Sequence, residues 1–192
     1  MSPRTRAAPR ARPARGFTLV EILVVCAIIA VVAAGAVLSL AALGADRELS
    51  TETDRLVDLM NFARDRAGLE TREFGLLCTS DGYQFLEFDP RTRLWEDLPA
   101  DGALRARKLP GGVTLSLSIE NQSVTLETAA ETRERVKTDP EALKPDILIF
   151  SNGDLPAFRL TLERDGTDHR ATIAPDKKGS IAAVASAAES RS

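Results

Sequence analysis

The feature that most constrains this chain is an uninterrupted apolar run near its N-terminus. Residues 22–45 are 24 consecutive positions without a charged side chain. A helix needs about 20 predominantly apolar residues to cross a bilayer, whereas the apolar core of a secretory signal peptide is only about 7–15 residues long. The run therefore predicts a membrane-spanning helix. A core helix of a globular protein is the alternative, and the length of the uncharged run argues against it.

The residues that precede the run are basic. Residues 1–16 contain no acid and five arginines, namely Arg4, Arg6, Arg10, Arg12 and Arg15. Because short segments rich in Arg and Lys stay on the cytoplasmic side of a membrane, we expect a cytoplasmic N-terminus and a single span. Everything after residue 45 should then lie outside the cytoplasm, which in a Gram-negative bacterium is the periplasm.

A carboxylate, Glu21, stands at the start of the apolar stretch. An acid at the centre of a bilayer costs roughly 2.5–3.5 kcal/mol on insertion scales. One interpretation places Glu21 near the interface, where it reaches back to water. In the other, a cut between Gly16 and Phe17 creates an ammonium at Phe17 that meets Glu21 of the same helix or of its neighbour. Such a pair in a low dielectric would fix the register of adjacent helices.

Six residues join the basic stretch to the apolar run, in the order Gly16, Phe17, Thr18, Leu19, Val20 and Glu21. This sequence resembles the prepilin processing motif of type IV pilins and type II secretion pseudopilins. The resemblance implies cleavage after Gly16 by a prepilin peptidase, N-methylation of Phe17, and pairing of Glu21 with the N-terminal amine of an adjacent subunit. Residues 1–16 would be the cleaved leader; a start codon further downstream would leave the mature chain unchanged.

Beyond residue 45 the pattern becomes amphipathic. No proline occurs between Ala14 and Asp89, so nothing obliges a helix that starts near Phe17 to break before about Leu69. Five apolar residues follow one another at helical spacing and should pack in a core, namely Leu49, Leu56, Met60, Ala63 and Ala67. We therefore divide the predicted helix into a transmembrane half, residues 17–45, and an amphipathic periplasmic half, residues 46–72.

From residue 73 onward the pattern is typical of strands. Two apolar stretches flank Ser80-Asp81-Gly82, which predicts a β-hairpin, and residues 113–119 alternate as a half-buried strand does. The prediction is an α+β, pilin-like fold in which the long N-terminal helix packs on an antiparallel β domain of about seven strands. That domain covers residues 73–178 and includes a mobile loop at 120–145. The Ala/Ser-rich residues 179–192 are predicted to be a disordered tail.

Two further segments carry a more specific resemblance. Ile147-Leu148-Ile149-Phe150-Ser151-Asn152-Gly153 and Lys178-Gly179-Ser180 resemble the H-type minor pseudopilins of type II secretion and their minor type IV pilin relatives of the FimT and FimU kind. The resemblance implies a structural subunit of a short periplasmic filament that helps to export folded proteins. Its partners would be other pseudopilins, the prepilin peptidase, the inner-membrane assembly platform and, before assembly, membrane lipid.

The charge of the chain separates this hypothesis from its alternative, a minor pilin in pilus assembly or DNA uptake. The whole chain has a formal charge of −3, and removal of the leader leaves 20 basic against 28 acidic side chains. DNA capture favours a basic surface, so this balance argues against nucleic acid as a partner. A local basic patch around Arg105-Ala106-Arg107-Lys108 is the feature that would support it. A generic anchored domain explains neither the processing motif nor Glu21.

Enzyme chemistry has little support in the sequence. The chain has no nucleophile elbow, phosphate loop, Cys-x-x-Cys pair, zinc-protease helix or EF-hand spacing. We expect His169 to be structural, and Asp165 and Asp168 to serve a turn rather than a cation. Cys78 is expected to be a buried apolar side chain rather than half of a disulfide. The sequence thus predicts no catalytic residue, no metal and no cofactor.

Overall fold

The computed structural model describes residues 19–99, 102–176 and 179–184, and within the first helix it describes side chains up to residue 33 and from residue 47 onward. The chain divides into two compact units, Met1–Leu43 and Gly44–Ser192. Helix α1 spans Leu19–Glu70. The predicted helix starts near Phe17. Because Phe17 and Thr18 lie outside the described residues, the agreement with the prediction begins at Leu19.

The second unit contains two antiparallel sheets, five strands each within the described residues. Sheet A has the order β3-β2-β1-β7, with β4 also pairing with β2; sheet B has the order β10-β9-β8-β5-β6. The strands of sheet A are β1 (Phe74–Thr79), β2 (Gly82–Asp89), β3 (Leu94–Asp97), β4 (Arg107–Lys108) and β7 (Ile147–Ile149). Those of sheet B are β5 (Val113–Ile119), β6 (Gln122–Val124), β8 (Phe158–Arg164), β9 (Arg170–Pro175) and β10 (Ile181–Val184).

The core of this unit forms where the amphipathic part of α1 meets both sheets. All five residues of the predicted stripe are buried, which confirms the prediction: Leu49, Leu56, Met60, Ala63 and Ala67 are at most 5% exposed. They share one hydrophobic cluster with alternate residues of β1 and of β5 and β8. In β5, Val113, Leu115 and Leu117 are buried while Thr114 and Ser116 are exposed, as predicted.

The hairpin predicted at Ser80-Asp81-Gly82 is confirmed, with β1 and β2 paired from Phe74↔Glu87 to Thr79↔Gly82. A Cβ on Gly82 would lie 2.5 Å from the carbonyl oxygen of Arg107, so only glycine lets β4 lie against β2 there. The turn also ties the two sheets together, because Leu115 N of β5 donates to Ser80 O at 3.0 Å.

The described residues contain ten strands rather than about seven. Two of the additional strands, β6 and β10, have only three and four residues, too short for an alternating pattern to distinguish from coil. Strand β4 is also very short: only Arg107 and Lys108 pair with β2, while Leu104 ahead of it packs in the hydrophobic core.

Residues 120–145 differ from the loop predicted there. They form β6, helix α2 (Ala129–Thr138) and a 3₁₀ turn (Pro140–Ala142). Helix α2 begins with a capping box in which Thr128 and Glu131 bond each other's backbone N–H groups, and such caps stabilise short polar helices. Arg135 then bonds Glu127 at 3.0 Å and the carbonyl of Ala142 at 2.7 Å. The charged residues of this segment thus form local ion pairs, and the prediction of a loop is wrong where α2 forms.

The prediction of a disordered tail is wrong for residues 181–184, which form a paired strand. Ile181 is 2% exposed and β10 pairs with β9 from Ile181↔Pro175 to Val184↔Thr172. Asn61 of α1 holds this strand at both polar groups of Ile181: its Nδ2 donates to Ile181 O at 2.9 Å, and Ile181 N donates to its Oδ1 at 3.2 Å. Residues 185–192 lie outside the described residues.

Candidate functional site

The predicted processing motif lies at the edge of the described chain. Gly16, Phe17 and Thr18 lie outside the described residues. Leu19 and Val20 open α1 and are 83% and 69% exposed. Glu21 is the acidic residue of the first helical turn. The roles predicted for these six residues therefore stay predictions.

The first described stretch of α1, residues 19–33, exposes apolar side chains on every side. Its exposed large hydrophobic residues are Leu19, Val20, Ile22, Leu23, Val24, Val25, Ile28, Ile29, Val31 and Val32. A helix that is apolar all round requires lipid or other protein around it. Among the described residues, no helix is both long enough and apolar enough to cross a membrane. The span predicted for residues 17–45 stays a prediction.

Another carboxylate of α1, that of Glu52, is buried in the second unit at 3% exposure. The Tyr83 hydroxyl donates to its Oε1 at 2.7 Å, and Arg55 forms an ion pair with its other oxygen. Burial, followed by the hydrogen bond to Glu52, raises the pKa of the Tyr83 hydroxyl. The hydroxyl is therefore a hydrogen-bond donor at any physiological pH. The bond from Tyr83 fastens α1 to sheet A, whereas the ion pair with Arg55 lies within the helix.

Arg64 of α1 connects the helix to the Asn152-Gly153 turn. Its Nε lies 3.3 Å from Gly153 O, and a Cβ on Gly179 would lie 3.5 Å from its terminal nitrogen. Both glycines have positive φ, +83° and +77°. The two segments that carried the resemblance to H-type pseudopilins, around Gly153 and Gly179, thus meet at one arginine of the helix.

Cys78, Asp165 and His169 lie in the body of the β domain or in one of its turns. Cys78 is buried without a disulfide, and burial, more than the nearby Asp146 carboxylate, raises the pKa of its thiol. Asp165 and His169 lie in the β8–β9 turn, where Asp165 N donates to Gly112 O at 2.8 Å. Within the described part of the chain, no three metal-ligating side chains come together as a metal site.

Two solved structures have the same arrangement of an N-terminal helix and antiparallel sheets. One structure of the minor pseudopilin EpsH from Vibrio cholerae superposes with a TM-score of 0.58 at 16% identity, covering 73% of this chain and 95% of that one. Another superposes at 0.55 and 14% identity, covering 71% and 96%. These likenesses establish the class of the protein, an α+β fold of the pilin-like kind.

Sequence comparisons identify the family within that class. Residues 52–177 match the family described as "Type II transport protein GspH", and residues 11–37 match the "Prokaryotic N-terminal methylation motif". The chain is 37% identical to the type II secretion system protein H of Pseudomonas aeruginosa over 83% of its length and 89% of the relative's. It is 30% identical to that of Aeromonas hydrophila, over 86% and 91%. The chain belongs to the GspH family of type II transport proteins.

Proposed function

We propose that this chain is a minor pseudopilin subunit of a type II secretion pseudopilus, which helps to export folded proteins across the outer membrane. The observation that carries the proposal is the presence of two matches on one chain, the methylation motif at 11–37 and the GspH family at 52–177. The charge balance supports it against a DNA-binding pilin, because the mature chain is acidic overall. The role is structural, and we assign no enzymatic activity and no cofactor to the chain.

Processing prepares the helix for assembly. The prepilin peptidase cleaves between Gly16 and Phe17, and Phe17 becomes the N-methylated first residue. In the filament, the Phe17 ammonium of one subunit meets the Glu21 carboxylate of its neighbour. A misaligned neighbour would leave both charges without their partners in a low dielectric, so the pair selects one register.

The N-terminal helix anchors the subunit before assembly. Residues 17–45 cross the inner membrane once with the N-terminus in the cytoplasm, and the unit Gly44–Ser192 folds in the periplasm. The exposed apolar side chains at 19–33 support this proposal, since lipid and the helices of other pseudopilins are the surroundings that such a surface requires. The assembly platform of the inner membrane then moves the subunit into the filament.

The test compares proteins in the culture supernatant of a strain in which this gene is deleted with those of the same strain complemented by the wild-type chain. We expect folded exoproteins to remain in the periplasm of the deletion strain and to reappear outside on complementation. A Gly16→Leu chain should be expressed but neither cleaved nor able to complement, while Gly44→Leu, a matched change far from the cleavage site, should be processed normally. Unchanged secretion together with lost twitching or DNA uptake would assign the chain to a pilus instead.

A further inference from the structure

A cleft of about 640 Å³ lies between α2 and the edge of sheet A. This volume falls within the range of about 300–1,000 Å³ that ligand sites occupy. Its apolar wall includes Ala130, Val136 and Leu143, and its polar wall includes the ends of β1, β2 and β4. Within the described pairing, β3 ends opposite Leu86 and β4 ends opposite Tyr83. The edge of β2 is therefore open between them, at residues 84–85.

Two residues that line this cleft each have a buried polar atom without a hydrogen-bond partner among the described residues. These atoms are Oγ1 of Thr79, a residue only 6% exposed, and Nε of Arg107. Native proteins satisfy most of their buried polar groups, and each exception requires an explanation. Both atoms can donate a hydrogen bond, so each could take an acceptor oxygen of a ligand as its partner.

The cleft also has an excess of positive charge. Arg107, Lys108 and Arg133 all line it, and within the described chain none of the three forms an ion pair. The two acids of the cleft have other partners. Asp81 accepts from Ala129 N at 2.8 Å, and Asp97 accepts from the Gln84 side chain. The open cations therefore face the space between α2 and β4.

We propose that this cleft binds an acidic segment of a neighbouring pseudopilin, which inserts a carboxylate between Arg107 and Thr79. The orphaned donors give the carboxylate its position, the flanking Lys108 and Arg133 attract the acidic segment, and the apolar wall of α2 covers the adjoining side chains. This inference rests on the proposed role as a pseudopilin and adds the partner's chemistry to it.

The experiment uses the full-length chain in its own host, with a photoreactive phenylalanine analogue in place of Lys137, which lines the cleft. A second chain carries the analogue in place of Ile28, in the apolar stretch of α1. Cross-linked peptides are identified by mass spectrometry. We expect Lys137 to give a product with an Asp- or Glu-rich segment of another pseudopilin. We expect Arg133→Glu to reduce that product about tenfold, since like charges suppress an interface. The matched control is Arg159→Glu on sheet B, an exposed arginine outside the cleft, which should leave the product unchanged.

Replacement of Thr79 by Val separates binding from folding. The change removes the hydroxyl and keeps the shape, so the cross-link at Lys137 should weaken while the free energy of unfolding stays the same or rises. Replacement of the cross-linked acidic residue of the partner by Lys should restore the cross-link in the chain that carries Arg133→Glu, because the two charges are then opposite again. Three outcomes would overturn the proposed role of the cleft while leaving the proposed function intact. They are cross-links from Ile28 but none from Lys137, cross-links from Lys137 to a non-acidic segment, and an equal loss of product with Arg159→Glu. Loss of pseudopilin products at both positions would overturn both.

Discussion

The two described stretches of α1, residues 19–33 and 47–70, share one backbone conformation and differ in where their apolar side chains go. In the first stretch the large apolar residues are 43–83% exposed. In the second, the stripe from Leu49 to Ala67 is at most 5% exposed. Each stretch also carries an acid that its surroundings must accommodate: Glu21 in the first stretch and the buried Glu52 in the second. The difference shows that the chain itself provides the surroundings of the second stretch, whereas the surroundings of the first must come from outside.

Leu56→Ala should have the largest effect on stability. Leu56 is fully buried, and such truncations cost about 2–5 kcal/mol. Ile28→Ala in the first stretch should leave the unfolding of the second unit unchanged, because Ile28 is 58% exposed. Urea unfolding of the mature chain in detergent micelles, followed by the fluorescence of the single Trp95, measures both. Equal losses would contradict the division between the two stretches.

Tyr83→Phe should destabilise the second unit by about 1.5–3 kcal/mol, the contribution of a hydrogen bond to a charged group. The change leaves Glu52 buried with Arg55 as its remaining partner. Glu52→Gln combined with Tyr83→Phe should cost less than the sum of the single changes, since residues in contact are coupled. Strict additivity in this double-mutant cycle would show that the bond does not contribute to the attachment of α1 to sheet A.

Asn61→Ala should release β10 from the helix. The cost should be about 1–3 kcal/mol, because the backbone N–H and C=O of Ile181 both lose their hydrogen bonds to the Asn61 side chain. Faster hydrogen exchange and earlier proteolysis at residues 179–184 would report the release. Asn152→Ala, whose hydrogen bonds stay within an exposed turn, is the control. Unchanged protection of the strand in Asn61→Ala would show that pairing with β9 alone holds it.

Asp146→Asn should change the pH dependence of stability by a smaller amount. Burial raises the pKa of Asp146 in the folded chain, against the hydrogen bond from Cys78 N at 2.8 Å. The folded state therefore binds the proton more tightly than the unfolded state does, and stability falls as the pH rises from the ordinary value near 3.9 through the raised one. The amide keeps an acceptor for Cys78 N and has no charge. The free energy of unfolding of Asp146→Asn minus that of the wild type should therefore rise with pH through this window and be constant below it. A difference that is constant at all pH values would refute the shift.

Glu21→Gln should have the smallest effect on unfolding, near zero, and should nevertheless weaken entry into the filament. The proposed charge pair forms only between neighbouring subunits, so the isolated subunit should retain its stability. Cross-linking of the mature chain to other pseudopilins in cells measures assembly, and membrane fractionation confirms insertion. Glu52→Gln is the matched control, because it should lower stability and spare the Phe17–Glu21 pair. Full assembly of Glu21→Gln would remove the register argument.

The sequence predicted those parts of the fold whose periodicity is long. The stripe of α1 and strand β5 follow one period over many residues, and their burial agrees with prediction. Strands β6 and β10 and helix α2 are short and polar, so local propensity was too weak to predict them. Specific polar contacts form these elements instead: the local capping box and Arg135 hold α2, and the tertiary contact with Asn61 holds β10.

By itself the sequence determined the processing motif, the division of α1 into an apolar and an amphipathic stretch, and the α+β class, because each of these depends on residue type and spacing along the chain. Only the tertiary structure decided which polar side chains are buried and what they bond. Glu52 and Tyr83 are 31 residues apart, and the cleft joins Thr79, Arg107 and Arg133 from three separate elements. Burial and charge pairing depend on distances in space, and these arise only when the sheets close against the helix.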